Sequence, residues 1–168
     1  KCQWARKEAI YLGHVITTKG IKPRVEKIQA ILKIEAPKNT KQLRKFLGLV
    51  NYYRSMWPKR AHILAPLSAM TGTEPFLWTE EHQLAFDEIK SIVAQETLLH
   101  FPNPKVPFHI YCDASNLQLG AVIKQDDQPL AYFSKKLTSA QQNYTTTEKE
   151  LLSIVSTDRK STRLNSSH

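Results

Sequence analysis

The sequence predicts an α+β fold, with helices first and a short antiparallel sheet after them. Three observations carry that reading. Apolar residues recur at helical spacing in separate stretches between residues 25 and 93. Short β-favouring runs then follow at close intervals over 108–112, 120–125 and 130–133. Between the two regimes lies FPNPKVP, residues 101–107, an extended connector in which each proline fixes its own φ and disfavours helix in its predecessor.

The elements follow in order. AIYLGHVIT, residues 9–17, is a β-favouring run that stops at the turn signal Lys19-Gly20, so it predicts one strand and a turn. Pro23 suits a first helical turn, and Val25, Ile28, Ile31 and Leu32 continue a short amphipathic helix until Pro37 stops it. A second helix starts with Asn39 or Thr40 as cap and carries the stripe Leu43, Phe46, Leu47, Val50 and Tyr53. Gly48 inside it costs about 1 kcal/mol against alanine, which implies close packing of another backbone or a ligand. Pro58 and Pro66 restrict the next stretch to short helical turns. Thr79 is a good N-cap for a third helix, with Glu80 and Glu81 favouring its dipole, Phe86, Ile89, Ile92 and Val93 buried, and an end near Gln95. The three β-runs form a meander, and a last helix over 146–156 crosses it with Leu151, Leu152, Val155 and the adjoining Ile154 inward.

Composition bounds the function. At 168 residues and 41% hydrophobic, the chain suffices for one ordinary domain or two small ones. It has no run of 18 apolar residues and no signal-peptide pattern, so an intracellular location, cytoplasmic or nuclear and not secreted, is expected, with no membrane partner. Cys2 and Cys112 stand far apart, without zinc spacing, and read as reduced thiols; the histidines likewise show no metal spacing. The net charge of +9 is uneven: residues 19–60 hold twelve Lys or Arg against Glu26 and Glu35, and residues 61–157 hold six against eleven acidic side chains. Such polarity suits a protein that grips a polyanion with one part and holds cations with the other. Solvated helix faces explain the same charges without any partner.

Five strings then occur in one order: YLGHVITTKGI, LRKFLGLVNYYR, FLW with a following AF-x-x-IK helix, YCDAS, and NYTTTEKELLSIV. Together they resemble the Pol polyprotein of gypsy-type LTR retrotransposons, from the end of the reverse transcriptase into its RNase H-like domain. The resemblance implies a division into 1–72, the last palm strands with thumb-like and connecting helices, and 73–157, a truncated RNase H-like domain whose sheet is incomplete. Its Tyr-x-Asp-Asp polymerase hairpin lies upstream in the family and is not among these residues. Residues 158–168, DRKSTRLNSSH, translate a common sequencing adapter codon by codon and are expected to be an artefactual, flexible tail.

What the resemblance implies for chemistry is RNA-directed DNA synthesis and Mg²⁺-dependent hydrolysis of the RNA strand of an RNA·DNA hybrid, with no small-molecule cofactor. Carboxylates hold two Mg²⁺ ions in such a site. Asp113, which follows the apolar run FHIYC at the end of a central strand, matches the first; alone, an Asp before Ala-Ser also suits a turn or cap. Ala114 and Ser115 leave room beside it, and Gly120 lets the next strand begin without steric conflict. Glu150 matches the second. Glu148 is its competitor, but two residues apart on a helix they point about 200° from each other, so at most one faces Asp113. Helix starts favour acidic residues anyway. The family's later Asp residues have no match, so the chain is expected to be inactive alone. Lys38, Lys41, Arg44 and Lys45 cluster at one helix start and are candidates for sequence-independent, salt-sensitive phosphate contacts. Tyr52, Tyr53, Trp57 and Trp78 suit either base stacking or a core. Three readings stay open: an enzyme fragment, a nucleic-acid-binding remnant without catalysis, and a chain that does not fold stably because its half-sheet leaves edges uncovered.

Overall fold

The computed structural model describes residues 6–72, 75–95 and 97–165 and has the mixed α+β architecture that the sequence predicts. Residues 9–17 are not one strand. β1 (Glu8–Tyr11) and β2 (His14–Thr17) form a hairpin through Leu12 and Gly13, both at positive φ, 44° and 74°. That left-handed pair matches the twist of a two-residue hairpin turn. A leucine does not announce it, and the turn is held from outside: the Tyr52 hydroxyl donates to the Leu12 carbonyl and the Tyr53 hydroxyl to the Gly13 carbonyl. β3 (Gly20–Pro23) then pairs with β2 and ends on Pro23 opposite His14. The proline closes a strand instead of opening a helix, as a strand end tolerates its missing N–H.

α1 (Val25–Leu32) follows Arg24, and α2 (Thr40–Tyr52) is capped by Asn39, whose side-chain oxygen accepts the Gln42 N–H at 2.9 Å. Two short helices, α3 (Arg60–Ile63) and α4 (Ala65–Ala69), fill the proline-bounded stretch as expected. α5 (Glu80–Ala94) begins at Thr79, whose N–H donates to His82 Nδ1 at 3.2 Å. β4 (Leu99–His100) has no counterpart among the expected elements; it joins β3 to complete a sheet in the order β1-β2-β3-β4. The apolar faces of these elements meet in one core that includes Ile31, Phe46, Trp57, Leu67, Phe86 and Leu99. This core runs across residue 72, because α5 and β4 pack on the helices before them.

Gly48 does not mark a close approach. It is exposed on α2, and a Cβ built there has nothing within 4 Å. Only its backbone freedom then matters, so Gly48→Ala is expected to raise stability by about 0.5–1 kcal/mol, read as a higher urea midpoint with an unchanged m-value.

The second sheet is the expected meander, β5 (His109–Ala114), β6 (Gln118–Gln125) and β7 (Gln128–Lys136), with longer strands than the apolar runs suggested. Asp126 and Asp127, both at positive φ, make the tight β6–β7 turn. Among the described strands β5 is an edge of this sheet, not its centre. The sheet is tied to the helices by the Tyr132 N–H to the Ser55 carbonyl, 2.9 Å, and the Ala61 N–H to Ser134 Oγ, 2.8 Å.

After α6 (Ser139–Gln142), α7 (Thr146–Asn165) crosses β5 and β6 but departs from expectation twice. Leu151, Ile154 and Val155 are about half exposed, while Lys149, Ser153 and Thr157 are buried with Leu152 beside them. The docking surface is strand backbone, and a small hydroxyl residue lets the helix approach carbonyl groups that a leucine would hold away. The helix also continues through residues 158–165, so the flexible tail is corrected for those residues. Extending an existing helix adds one hydrogen bond per residue fixed, and Arg, Lys and Leu propagate it well. Residues 166–168, like Cys2, lie outside the described residues.

Candidate metal and nucleic-acid site

Asp113 stands one residue before the end of β5, exposed, directly opposite Gly120 of β6. A Cβ at Gly120 would meet only the Asp113 carbonyl oxygen, at 3.9 Å, an ordinary contact. Glycine is therefore not required there to avoid a clash, contrary to the sequence expectation. Beyond Asp113 the chain turns on Ser115, whose hydroxyl accepts the N–H groups of Leu117 and Gln118 at 3.3 and 3.2 Å. This ties the loop that follows the carboxylate to its own strand.

The helix bearing Glu150 is fixed to that strand by two buried polar side chains. Ser153, fully buried, places its hydroxyl 3.2 Å from the Gly120 carbonyl oxygen and 3.4 Å from that of Asp113. Lys149, four residues earlier, donates from Nζ to the Asn116 side-chain oxygen at 2.9 Å. Glu150 lies between these two anchors in sequence, exposed, one turn before Ser153. The strand end carrying Asp113 and the first turns of α7 are thus joined within a few residues of both carboxylates. The sequence reading does not pick out Ser153 and Lys149; the spacing 149, 153, 157 is the available signal, masked by the stronger apolar pattern beside it.

Glu148 is occupied elsewhere. Its carboxylate accepts the Thr145 N–H at 2.7 Å and the Thr145 hydroxyl at 2.9 Å, and its own N–H donates to the Thr145 hydroxyl oxygen at 3.3 Å. That reciprocal pair closes the helix start, and the Thr145 N–H holds the carboxyl below the usual carboxylate range. Asp113 and Glu150 supply two exposed oxygen donors of the kind Mg²⁺ takes, since this ion keeps several waters and is commonly held by one or two carboxylates. Among the described residues no group of three His, Cys, Asp or Glu side chains converges as a metal cluster.

The basic candidates are together on one surface. Lys38, Lys41, Arg44 and Lys45 are all exposed at the start of α2, where spacings of three and four residues make Lys41 a surface neighbour of both Arg44 and Lys45. Arg44 also donates to the Thr71 carbonyl at 2.7 Å, which fixes its direction. Of the four aromatic candidates for stacking, Tyr53 and Trp57 are buried in the core, and Trp78 is half-buried with Nε1 donating to Gln83 at 2.9 Å. Only Tyr52 is exposed, and its hydroxyl is engaged by the Leu12 carbonyl.

The family described as the RNase H-like domain found in reverse transcriptase matches residues 78–164. The Pol polyprotein from transposon 297 of Drosophila melanogaster is 38% identical over 157 residues, 92% of this chain and 15% of that protein. The Pol polyprotein from transposon opus of the same organism is 36% identical, covering 86% of this chain and 16% of its own length. Transposon Tf2-3 polyprotein of Schizosaccharomyces pombe is also 36% identical, over 92% of this chain and 12% of its length. Among solved structures, the foamy viral protease-reverse transcriptase in complex with RNA/DNA hybrid superposes with a TM-score of 0.84 at 27% identity, over 95% of this chain and 22% of that one. The same viral protein in complex with dsDNA gives 0.82 at 27% identity, over 95% of this chain and 34% of that one. This chain therefore spans less than a fifth of these curated relatives.

Proposed function

The chain belongs to the family of RNase H-like domains found in reverse transcriptase, as part of a retrotransposon Pol polyprotein, and from that premise we propose a role for its two exposed carboxylates. Asp113 and Glu150 are two ligands of a Mg²⁺ site that acts on the RNA strand of an RNA·DNA hybrid. When bound, the metal supplies an activated water and stabilises the leaving oxygen at the scissile phosphate. The observation that carries this reading is the Ser153 hydroxyl on the Asp113 and Gly120 carbonyls, which holds the Glu150 helix on the Asp113 strand. Asp113 then acts from a paired strand and Glu150 from a docked helix, and rigid elements position ligands better than loops do.

Lys38, Lys41, Arg44 and Lys45 hold the phosphate backbone independently of sequence. We keep 1–72 and 73–157 as the two parts of the chain, joined by one core, and 158–168 as an adapter-derived tail, into which the family match nevertheless runs as far as residue 164, with a cytoplasmic or nuclear site of action, where nucleic acid is found. No helix among the described residues is long and apolar enough to cross a membrane. Two carboxylates do not make the full two-metal set, so the chain alone binds hybrid without cutting it. The exposed lysine patch also favours a second reading, a nucleic-acid-binding remnant that uses no metal.

Mg²⁺ titration of the purified chain, followed by NMR shifts of residues around Asp113, separates these readings. Asp113→Asn and Glu150→Gln are each expected to weaken the response about tenfold, a loss of about 1.4 kcal/mol, whereas Glu148→Gln leaves it in place. An unchanged response in Asp113→Asn would refute the metal assignment and leave the remnant reading.

A further inference from the structure

A second cluster of cations lies away from the start of α2. Arg60 is half-buried where α3 begins; its Nη1 donates to the Asn51 side-chain oxygen, and its Nε is buried with no hydrogen-bond partner among the described residues. Arg54 is exposed nearby, and Lys59, also exposed, precedes Arg60 with a left-handed backbone, φ 50°. Burial pushes the Arg60 guanidinium below its usual range, and the charge of Arg54 adds to that. The ion pairs seen among the described residues, Lys22–Glu8 and Arg24–Glu26, leave this cluster out. Like charges held together, one of them partly desolvated, cost free energy that a bound anion offsets.

The cluster has a defined position relative to Asp113. The Ala61 N–H on Ser134 Oγ sets the start of α3 against β7. In the sheet register Ser134 is opposite Gly120, and Gly120 is opposite Asp113, so the three form one rung across β7, β6 and β5. Directly opposed residues of antiparallel strands share a face, and strands lie about 4.8 Å apart, so Asp113 and Ser134 project from one face with backbones about 10 Å apart. The middle of the rung is glycine, with nothing but the Asp113 carbonyl oxygen within 4 Å of where a Cβ would stand. Lys136, exposed, follows Ser134 on the same face.

We propose that Arg54, Lys59 and Arg60 form a phosphodiester-binding site that holds the backbone of a nucleic acid lying across the Gly120 rung toward Asp113. This rests on the nucleic-acid reading above but adds a contact separate from it. The lysines of α2 lie toward the opposite end of a helix of 13 residues, about 20 Å long. The two patches therefore grip different phosphates.

Binding of a fluorescently labelled RNA·DNA hybrid, measured by anisotropy across a series of salt concentrations, tests the site. Each lost phosphate contact lowers the slope of log K against log salt by about 0.9. Arg54→Gln is expected to lower it by about 0.9 and Arg54→Gln with Arg60→Gln by about 1.8, while Arg60→Lys keeps most of the slope. Arg54 is exposed, so its single variant gives the answer even where loss of the half-buried Arg60 impairs folding. Wild-type binding with an unmoved slope in Arg54→Gln overturns this site alone, the more sharply if Lys41→Gln with Lys45→Gln lowers it. No binding by the wild type at low salt overturns both this site and the nucleic-acid reading beneath it.

Discussion

Gly20→Ala is expected to pull β3 and β4 apart and to cost the fold about 3 kcal/mol, read as a lower urea midpoint. A Cβ at this position would sit 2.1 Å from the Leu99 carbonyl oxygen, 2.9 Å from its carbon and 3.0 Å from the His100 Cα. All three are backbone atoms, so no rotamer change relieves the overlap. Gly20 cannot retreat the other way either. Its N–H donates to the Thr17 hydroxyl oxygen at 3.1 Å, and that hydroxyl donates to the Gly20 carbonyl at 3.0 Å. Shifting β4 instead would move Leu99, a buried member of the main core, out of its place. Gly48→Ala, on an open helix face, has the opposite sign. Equal midpoints for Gly20→Ala and the wild type would refute the close approach.

That pair of glycines shows what the sequence could and could not convey. Both are visible in it, one as a turn residue and one as a sign of close packing, but the close approach falls to Gly20 and Gly48 stands on an open helix face. A glycine reports a backbone need without reporting which, because close approach depends on a strand that arrives far along the chain, here β4. Periodicity does better where the burial is local. α2 and α5 bury the stripes that their spacing predicts, and the meander follows from runs of β-favouring residues between polar turns. It fails on α7, where apolar Leu151, Ile154 and Val155 are expected inside and stand half exposed. The apolar stripe marks the side of the helix that water disfavours most, whereas the docked face is selected by the carbonyls of Asp113 and Gly120, which accept a serine. The Leu12-Gly13 turn is illegible for a similar reason: tyrosines 40 residues away hold it.

The site divides in the same way. The proposed ligands Asp113 and Glu150 and the four proposed phosphate contacts at the start of α2 are legible in strings that resemble a family and in a local charge run. The Arg54–Arg60 cluster is not, because its meaning comes from the Ala61–Ser134 hydrogen bond between residues 73 apart and from the register of three strands. A charge map along the chain records those arginines as part of a broad basic stretch. It cannot place them on the face that carries Asp113.

Trp57→Ala is expected to destabilise the chain by about 3–5 kcal/mol, a large share of the roughly 5–15 kcal/mol typical of a folded domain. Trp57 is completely buried, packed edge-on to Tyr53 with ring centroids 6.2 Å apart, inside the core that joins α2, α5 and β4. Removing the indole leaves a cavity that neighbouring side chains cannot fill, because they are held by the same packing. Trp57→Phe separates ring volume from the polar atom. The indole Nε1 is buried without a hydrogen-bond partner among the described residues, so phenylalanine loses part of the ring but also relieves an unsatisfied N–H. Its net cost is expected to be about 1 kcal/mol. Hybrid binding should be equal in Trp57→Phe and wild type, since a residue with no exposed surface cannot stack on a base. A folded Trp57→Phe variant with a clear loss of affinity would restore the stacking role that burial now excludes.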